Sequence, residues 1–415
     1  MSSTADSTKP QADATPEKPE QGHEEEEEEL SIVDQDELWT DVTPIPQADV
    51  ERPMVQIAYH PEYRKAMNLF RGILKKNEFS ERALKLTTII LQYNAGHYTV
   101  WNYRSQILKH LQLSDPEGKH IQKELAMLNK HMADMRKSYQ AWQHRALMVE
   151  LLKDASKEIE FVNQVLKADA KNYHTWTYRQ SLLCRYNEPE MWAGELTTTE
   201  RLLEEDVRNN SVWNHRFFTV FDTFPLHTPG ISSSEFAQIV QREIQFTKHQ
   251  ILKAPNNPSA WNYLRGYPPF ILFLSLSLSL SSPFTSSFPH QTNILLLFYS
   301  SSSRKKKWEN RVLKRGSIPL NTLEDFVLPL TKTRLELETQ ASGWPTGLNT
   351  QSDLPVPAAV ELLANIYAQS QAKTQIALEL YELLSEKLDP IRKGYWKFLS
   401  QRTVANQATA PSTTV

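Results

Sequence analysis

The stretch Lys137-Ser138-Tyr139-Gln140-Ala141-Trp142-Gln143-His144-Arg145 recurs in variant form along this chain. The matching tryptophans are spaced 41, 34, 37 and 48 residues apart, at Trp101, Trp142, Trp176, Trp213 and Trp261. Periods of this length, with helix-favouring residues between them, indicate helical hairpins that bury one face against the next repeat. The sequence therefore predicts an all-α fold, a right-handed superhelix (solenoid) of helical hairpin repeats similar to tetratricopeptide repeats.

An arginine follows each of the first four tryptophans at a distance of three residues, as in Trp142 and Arg145. In the fifth copy it is slipped by one position, to Arg265. Residues three apart on a helix share a face, so the guanidinium can stack near the indole or reach a neighbouring repeat. We interpret these pairs as structural.

The residues that precede the tryptophans differ between copies. Five positions upstream, only the three central copies carry a cation, namely Lys137, Lys171 and Arg208. These positions should lie at the N-terminal ends of successive helices, where free N–H groups and the helix dipole favour anions. With Tyr139 and Tyr173 they predict a rim suited to a phosphorylated ligand. An equal alternative is that the cations are only solvated residues near helix starts.

Six stretches of the chain carry a resemblance to a known family. Inside the repeats they are 170–176 (AKNYHTW), 205–214 (EDVRNNSVWN) and 259–264 (SAWNYL). Outside the repeats they are 44–47 (PIPQ), 55–59 (VQIAY) and 391–396 (IRKGYW). They are similar to the alpha subunit shared by protein farnesyltransferase and protein geranylgeranyltransferase type I. The resemblance extends from about residue 38 to about residue 402.

This resemblance implies a helical alpha subunit wrapped around a beta subunit in a cytoplasmic heterodimer. The beta subunit of that family holds the zinc and most of the substrate pocket. The implied substrates are farnesyl or geranylgeranyl diphosphate and proteins with a C-terminal C-a-a-X motif, such as small GTPases. Magnesium bound to the diphosphate is an optional further cofactor. A zinc-bound cysteine thiolate attacks the first carbon of the isoprenoid, and preorganised cations stabilise the negative charge that grows on the departing phosphate.

The resemblance also assigns roles by motif position. Lys137 would contact the diphosphate, Tyr139 would line the isoprenoid side of the site, and Gln140 would meet the C-terminal carboxylate of the protein substrate. The implied catalytic residues are Lys137, Tyr139 and Tyr173. The implied substrate-binding residues are Gln140, Lys171, Asn172 and His174. The resemblance implies no metal ligand in this chain. The chain departs from the family pattern at Ser138, a position where relatives often carry Asn.

Composition bounds the remaining possibilities. The single cysteine, Cys184, excludes an internal disulfide framework and indicates a reducing compartment, and its apolar neighbours predict a small core residue. Residues 1–30 contain ten acidic residues, two lysines and almost nothing apolar, which predicts a disordered acidic tail without a secretory signal. The whole chain has a net charge of −3. Because residues 1–30 hold an excess of acidic residues, the remainder of the chain is mildly basic. Its positive charge is too small to indicate nucleic acid as a partner.

We predict one helical domain over 31–403, followed by a flexible tail over 404–415. Segment 267–311 does not fit this domain, because it begins Tyr-Pro-Pro, alternates Ser with Leu and ends in a basic run. Its apolar run is too short and too often interrupted by serine for a membrane span, so we interpret it as an atypical insertion. A return helix is predicted over 190–205, a later helix is predicted over 322–338, and a capping box is predicted at Ser114 and Glu117.

Two other functions are compatible with the repeats. One is the alpha subunit of the Rab geranylgeranyltransferase, which shares the tryptophan repeats but differs around 206–214. The other is a helical-repeat scaffold that binds peptides and performs no chemistry. Binding of an escort-protein–Rab complex would favour the first alternative, whereas the leading hypothesis requires prenyl transfer to a C-terminal cysteine peptide.

Overall fold

A computed structural model describes residues 33, 35–48, 55, 57–222, 232–266, 320–339, 344–349 and 351–408. This part of the chain is helical and contains no strand. The chain divides into two compact units, Met1–Phe161 and Val162–Val415, and the division falls inside a helix. The predicted tail 1–30, the predicted insertion and the end of the predicted C-terminal tail lie outside the described residues.

The first unit consists of helices joined by short turns. They are α1 (Pro61–Lys76), α2 (Glu81–Tyr93), α3 (Tyr98–Gln112), α4 (Lys119–Met135), α5 (Tyr139–Leu152) and the beginning of α6 (Glu158–Ala168). Each of the first four helices packs against the next one, and the tryptophan helices α3 and α5 also pack side by side. This is the packing expected of stacked helical hairpins.

The second unit continues the same pattern. Its repeat helices are α7 (Tyr173–Tyr186), α8 (Pro189–Ala193), α9 (Glu195–Glu205), α10 (Asn210–Phe217), α11 (Ser233–Lys253) and α12 (Pro258–Arg265). The tryptophan helices α7, α10 and α12 pack side by side in that order. The later helices are α13 (Glu324–Val327), α14 (Arg334–Thr339), α15 (Pro357–Tyr367), α16 (Thr374–Leu383) and α17 (Lys393–Ala408). The predicted all-α fold of helical hairpin repeats is confirmed.

Local capping explains where several of these helices begin. The side chains of Ser80, Ser138 and Asn172 accept a hydrogen bond from the backbone N–H three residues later, at the starts of α2, α5 and α7. A capping box begins α11, with Ser232 and Glu235 satisfying each other's backbone N–H. Such caps satisfy N–H groups that have no partner within the helix.

Three helix predictions were wrong in detail. No capping box forms at Ser114, because Gly118 turns the chain in a left-handed conformation and Asp115 accepts the His120 N–H instead. The helix predicted over 190–205 is split at Gly194 into α8 and α9. The helix predicted over 322–338 is replaced by short helical segments. It is interrupted around Pro329 and at Lys332, whose backbone is extended. The last helix, α17, extends to Ala408 and so includes 404–408 of the predicted tail.

The cysteine prediction was also wrong. Cys184 lies near the end of α7 and is exposed, whereas its neighbours Leu182 and Leu183 are buried. The neighbouring helices cover the face of α7 that carries Leu182 and Leu183 and leave residue 184 exposed.

The motif arginines form the buried polar framework of the repeats. In the first four copies the guanidinium makes two hydrogen bonds, 2.5–3.0 Å long, to one glutamate of the return helix that follows. The four pairs are Arg104–Glu124, Arg145–Glu158, Arg179–Glu195 and Arg216–Glu243, and all eight residues are buried. Of the two predicted arrangements, reaching a neighbouring helix is therefore the one adopted. Stacking occurs on phenylalanine, as for Arg145 over Phe161, and not on the motif indole.

Several of these glutamates also bind the next tryptophan helix. Glu124 contacts His144 Nε2 at 2.7 Å, and Glu195 contacts His215 Nε2 at 2.5 Å. One carboxylate thus joins the two neighbouring tryptophan helices to the return helix between them. Burial alone would raise the pKa of Glu124, but the Arg104 charge and the His144 contact lower it to about 2.

The fifth copy ends differently, because Arg265 is slipped. Its guanidinium pairs with Glu361 of α15 at 3.0 Å and donates to the Ala358 carbonyl at 3.0 Å. The helix α12 ends at Arg265, with Gly266 as its C-cap, where the sequence predicts that Tyr267-Pro268-Pro269 blocks continuation. Helix α15, which follows 267–311 in the sequence, therefore supplies the glutamate that pairs with the arginine of the fifth copy.

Removal of 267–311 is expected to stabilise the protein. Joining Gly266 to Val312 places apolar residues at offsets 0, 3, 6 and 7 from Trp261, so one helical face resumes in phase. We expect the shortened chain to melt at a higher temperature, to aggregate less and to assemble better with a partner subunit. Thermal melts and coexpression of both forms test this. Equal melting temperature, solubility and yield would mean that the segment is tolerated as a loop.

Protein stability is expected to decrease as the pH falls below about 6.5, in part because of His215. Burial lowers the pKa of this imidazole, whose Nδ1 has no hydrogen-bond partner. The unfolded chain therefore takes up a proton that the folded chain rejects, which favours unfolding. Urea unfolding between pH 7 and pH 5 should show a shallower pH dependence for His215→Gln than for the wild type. The matched control is His249→Gln, at an exposed position of α11, which should retain the wild-type slope.

Candidate functional site

The three motif cations lie in equivalent loops. Lys137, Lys171 and Arg208 each come one residue before the N-cap of a tryptophan helix, namely α5, α7 and α10. All three side chains are exposed. The prediction that these cations lie at helix N-termini is confirmed. Each loop places a positive charge beside N–H groups that favour anions.

The motif tryptophans hold these loops in place. In all five copies the indole Nε1–H donates to the backbone carbonyl six residues upstream, in the loop that precedes the same helix. The acceptors are Ala95, Arg136, Ala170, Val207 and Pro255, at 2.8, 2.9, 3.0, 2.8 and 2.6 Å. We call this contact the indole clamp. The clamped residue comes directly before the position that carries the cation in the central copies.

Successive loops are also linked to one another through the N-cap residues. In the second unit, Asn209 Nδ2 donates to the Ala170 carbonyl at 3.0 Å, and Asn257 Nδ2 donates to the Val207 carbonyl at 2.7 Å. In the first unit the N-cap is Ser138, whose shorter side chain comes only within 3.5 Å of the Ala95 carbonyl and lies closer, at 3.2 Å, to Gln140 Oε1 as an acceptor for its single proton. The loop that carries Lys137 is therefore linked more weakly to the loop before it.

The first unit contains three of the predicted site residues, at the start of α5. Within the described part of the chain the Lys137 ammonium makes no hydrogen bond or ion pair. Tyr139 is the first residue of α5 and its side chain is 68% exposed. Gln140 donates to the Gly96 carbonyl at 3.3 Å and accepts from the Ser138 hydroxyl at 3.2 Å. An amide carries two N–H groups, so the second one remains available for a carboxylate.

The second unit contains the other four predicted residues, at the start of α7. Lys171 is exposed but pairs with Asp206 at 2.9 Å. Asn172 is buried and caps α7 by accepting the Thr175 N–H at 3.1 Å, so its described contacts are structural. Tyr173 is the first residue of α7 and is 61% exposed. His174 is half-buried beside the Tyr173 ring.

Lys137 and Lys171 differ in whether an acidic residue neutralises their charge. The hydrogen bond from Lys171 holds the pKa of the Asp206 carboxyl below its usual range, so Asp206 is ionised and offsets the Lys171 charge. Burial lowers the pKa of His174, which is therefore neutral at pH 7. Within the part of the chain that the structure describes, Lys171 has a counterion in Asp206, whereas Lys137 has none.

Sequence reasoning read 169–172 and 206–209 as turns but assigned no site role to Asp206 or to the equivalent residue Asp169. Each accepts the backbone N–H two residues later, from Arg208 at 2.9 Å and from Lys171 at 3.3 Å. Such a turn shapes the loop before the helix. The signal was present, because the pattern Asp-x-Lys/Arg-Asn occurs in both loops, at 169–172 and 206–209.

The described residues do not fit a metal site. No group of three or more His, Cys, Asp or Glu side chains that could hold a metal ion occurs among them. None of the helices in the described ranges is long and apolar enough to cross a membrane.

The isolated chain is expected to bind no stoichiometric zinc. It has one cysteine and no ligand cluster in its described part, whereas tetrahedral zinc sites in proteins use three or four such ligands. Equilibrium dialysis of the purified chain, followed by metal analysis, measures this directly. One tightly held zinc per chain would contradict the prediction.

The repeats and their loops define a class of protein that comparison with known families also identifies. The model of the protein prenyltransferase alpha subunit repeat matches residues 80–111, 155–186, 192–222 and 240–267. The copy that carries Lys137 lies between the first two matched segments.

Individual relatives narrow the class. The protein farnesyltransferase/geranylgeranyltransferase type-1 subunit alpha of Dictyostelium discoideum is 33% identical over 370 residues, which are 89% of this chain and 93% of the relative. The subunit of the same name from Schizosaccharomyces pombe is 41% identical over 225 residues, 54% of this chain and 70% of the relative. A solved chain of Candida albicans protein geranylgeranyltransferase-I complexed with GGPP has a TM-score of 0.63 and 28% identity, covering 88% of this chain and 98% of that chain.

This chain therefore belongs to the family of protein farnesyltransferase/geranylgeranyltransferase type-1 alpha subunits. The family predicted from the sequence motifs is confirmed. Of the three functions considered, the leading hypothesis, the alpha subunit of a farnesyl or geranylgeranyl type I transferase, is thereby supported over the Rab enzyme and the peptide-binding scaffold.

Proposed function

We propose that this chain, paired with a beta subunit, transfers a farnesyl or geranylgeranyl group from its diphosphate to the cysteine of a C-terminal C-a-a-X motif. The observation that carries the proposal is the Lys137 ammonium, exposed and without a counterion in the described part of the chain, in a loop held at the N-terminus of α5. Family membership supports the reaction class. In this proposal the heterodimer works in the cytoplasm, and small GTPases are among its protein substrates.

The chemistry requires charge stabilisation and no nucleophile from this chain. The cysteine sulfur forms a bond to the first carbon of the isoprenoid while the carbon–oxygen bond to the diphosphate breaks. The electron pair of that bond leaves on the diphosphate, so negative charge grows on its oxygens. A fixed ammonium near those oxygens stabilises this charge more in the transition state than in the bound substrate.

The other predicted residues have supporting roles in this proposal. The Tyr139 and Tyr173 side chains are exposed at the first positions of their helices, where a hydroxyl can donate to a phosphate oxygen and a ring can line an isoprenoid. Gln140 offers its second amide N–H to the C-terminal carboxylate of the protein substrate. His174 is neutral, so it contributes a hydrogen bond and not a charge.

Lys171 and Asn172 have weaker support from their contacts. Lys171 must leave Asp206 before it can bind phosphate fully, and the Asn172 side chain already caps α7. We propose that Lys171 acts as a secondary cation and that Asn172 acts mainly by holding the loop. Zinc, and magnesium with the diphosphate, would be bound outside the described residues of this chain, with zinc on the beta subunit.

Coexpression with a candidate beta subunit tests the proposal. The purified heterodimer should transfer a prenyl group from farnesyl or geranylgeranyl diphosphate to a peptide that ends in C-a-a-X, and the beta subunit should determine which. A peptide with serine in place of the cysteine is the matched control. Transfer only to an escort-protein–Rab complex, or peptide binding without transfer, would reject it.

A further inference from the structure

We propose that Trp142 is a positioning residue for the reaction, acting on Lys137 through the backbone of the loop between α4 and α5. The inference rests on the role proposed above for Lys137. Trp142 Nε1 donates to the Arg136 carbonyl at 2.9 Å, and this carbonyl belongs to the peptide group that joins Arg136 to Lys137. The indole is buried, whereas the Lys137 side chain is exposed.

Lys137 is fixed at the backbone on both sides. On its N-terminal side the indole clamp holds the carbonyl of residue 136. On its C-terminal side Ser138 N–H donates to the Met135 carbonyl at 2.9 Å, and the Ser138 hydroxyl accepts the Ala141 N–H at 3.2 Å. The Lys137 Cα is thus held while four side-chain carbons remain free to extend the ammonium.

The clamp matters more in this loop than in its equivalents. The Asp turn that shapes the loops before α7 and α10 is absent here, because the equivalent position is Met135. The Asn link to the preceding loop is also replaced by the 3.5 Å contact of Ser138. Two of the three restraints found in the loop before α10 are therefore missing or weakened, and the indole N–H is the strongest one left.

The test removes the hydrogen bond from Trp142 to the Arg136 carbonyl and compares the effect with loss of the equivalent bond in the fifth repeat. Trp142→Phe in the heterodimer loses the indole N–H, and we expect kcat to fall about tenfold with little change in KM, because a small displacement of a charge-stabilising group costs rate. The matched control is Trp261→Phe. It loses the equivalent clamp on the Pro255 carbonyl, but Asn256 there carries no charge, and its kcat should stay within about twofold of the wild type.

A double mutant shows whether the effect passes through Lys137. In a Lys137→Ala background, Trp142→Phe should cause no further loss of kcat, because there is no ammonium left to position. If Trp142→Phe folds poorly, Trp142→benzothienylalanine keeps the bicyclic shape and replaces only the N–H by sulfur, with the same expected loss. Melting temperature and heterodimer yield are measured for every variant.

The outcomes separate this inference from the function on which it rests. Equal kcat losses for the variants at 142 and 261, or a full loss at 142 that persists in the Lys137→Ala background, would overturn the positioning role and leave the proposed function intact. An active heterodimer whose rate is insensitive to Lys137→Ala would reject the proposed role of Lys137, and this inference with it.

Discussion

Lys137→Ala is expected to lower the single-turnover rate of prenyl transfer by roughly 10²- to 10³-fold, the usual cost of removing one preorganised charge-stabilising donor. Lys137 is the motif lysine whose ammonium has no counterion in the described part of the chain, so its charge is fully available to the departing diphosphate. Its side chain is exposed and outside the helix core. Folding and heterodimer formation should therefore be unaffected.

Two comparisons make this result specific. Lys123→Ala removes the same charge from an exposed position of α4 and should change the rate less than about twofold, as expected for a surface lysine that contacts no reacting group. Lys171→Ala should cost less than Lys137→Ala, because Asp206 already offsets much of the Lys171 charge. A rate for Lys137→Ala equal to that of Lys123→Ala would remove Lys137 from the site.

Glu124→Ala is expected to have the largest effect on stability, about 3–5 kcal/mol, because it leaves a buried charge without its partner. Glu124 accepts two hydrogen bonds from Arg104 and contacts His144, and all three residues are buried in the first unit. Since a folded domain is stable by only about 5–15 kcal/mol, this loss is a large share of the total stability. Urea unfolding measures the difference.

The control for this prediction is Glu205→Ala. Glu205 pairs with Arg201 on α9, but both side chains are about half exposed, so the charges stay hydrated when the pair is broken. Its unfolding midpoint should stay close to that of the wild type. Similar midpoints for Glu124→Ala and Glu205→Ala would show that the buried arginine–glutamate pairs do not hold the repeats together.

The sequence by itself determined the repeat, the helices and the location of the candidate site. The tryptophan spacing defined the hairpins, and the helix starts at residues 81, 139 and 173 follow from capping side chains adjacent in sequence. Because a cap involves residues within one turn, its effect can be deduced without knowing the fold. The same locality placed Lys137 and Lys171 at helix N-termini, and the resemblance of the motifs identified the family.

Only the tertiary structure decided what each side chain contacts. The glutamates that accept the motif arginines lie 13 to 27 residues away, so their identity depends on how return helices pack. Asp206 likewise reaches Lys171 from the next loop, 35 positions along the chain, and this contact gives Lys171 a counterion. Cys184 was misplaced for the same reason, because its exposure depends on which face of α7 the neighbouring helices cover. Pairing and burial arise from packing between elements, which the periodicity of one element does not encode.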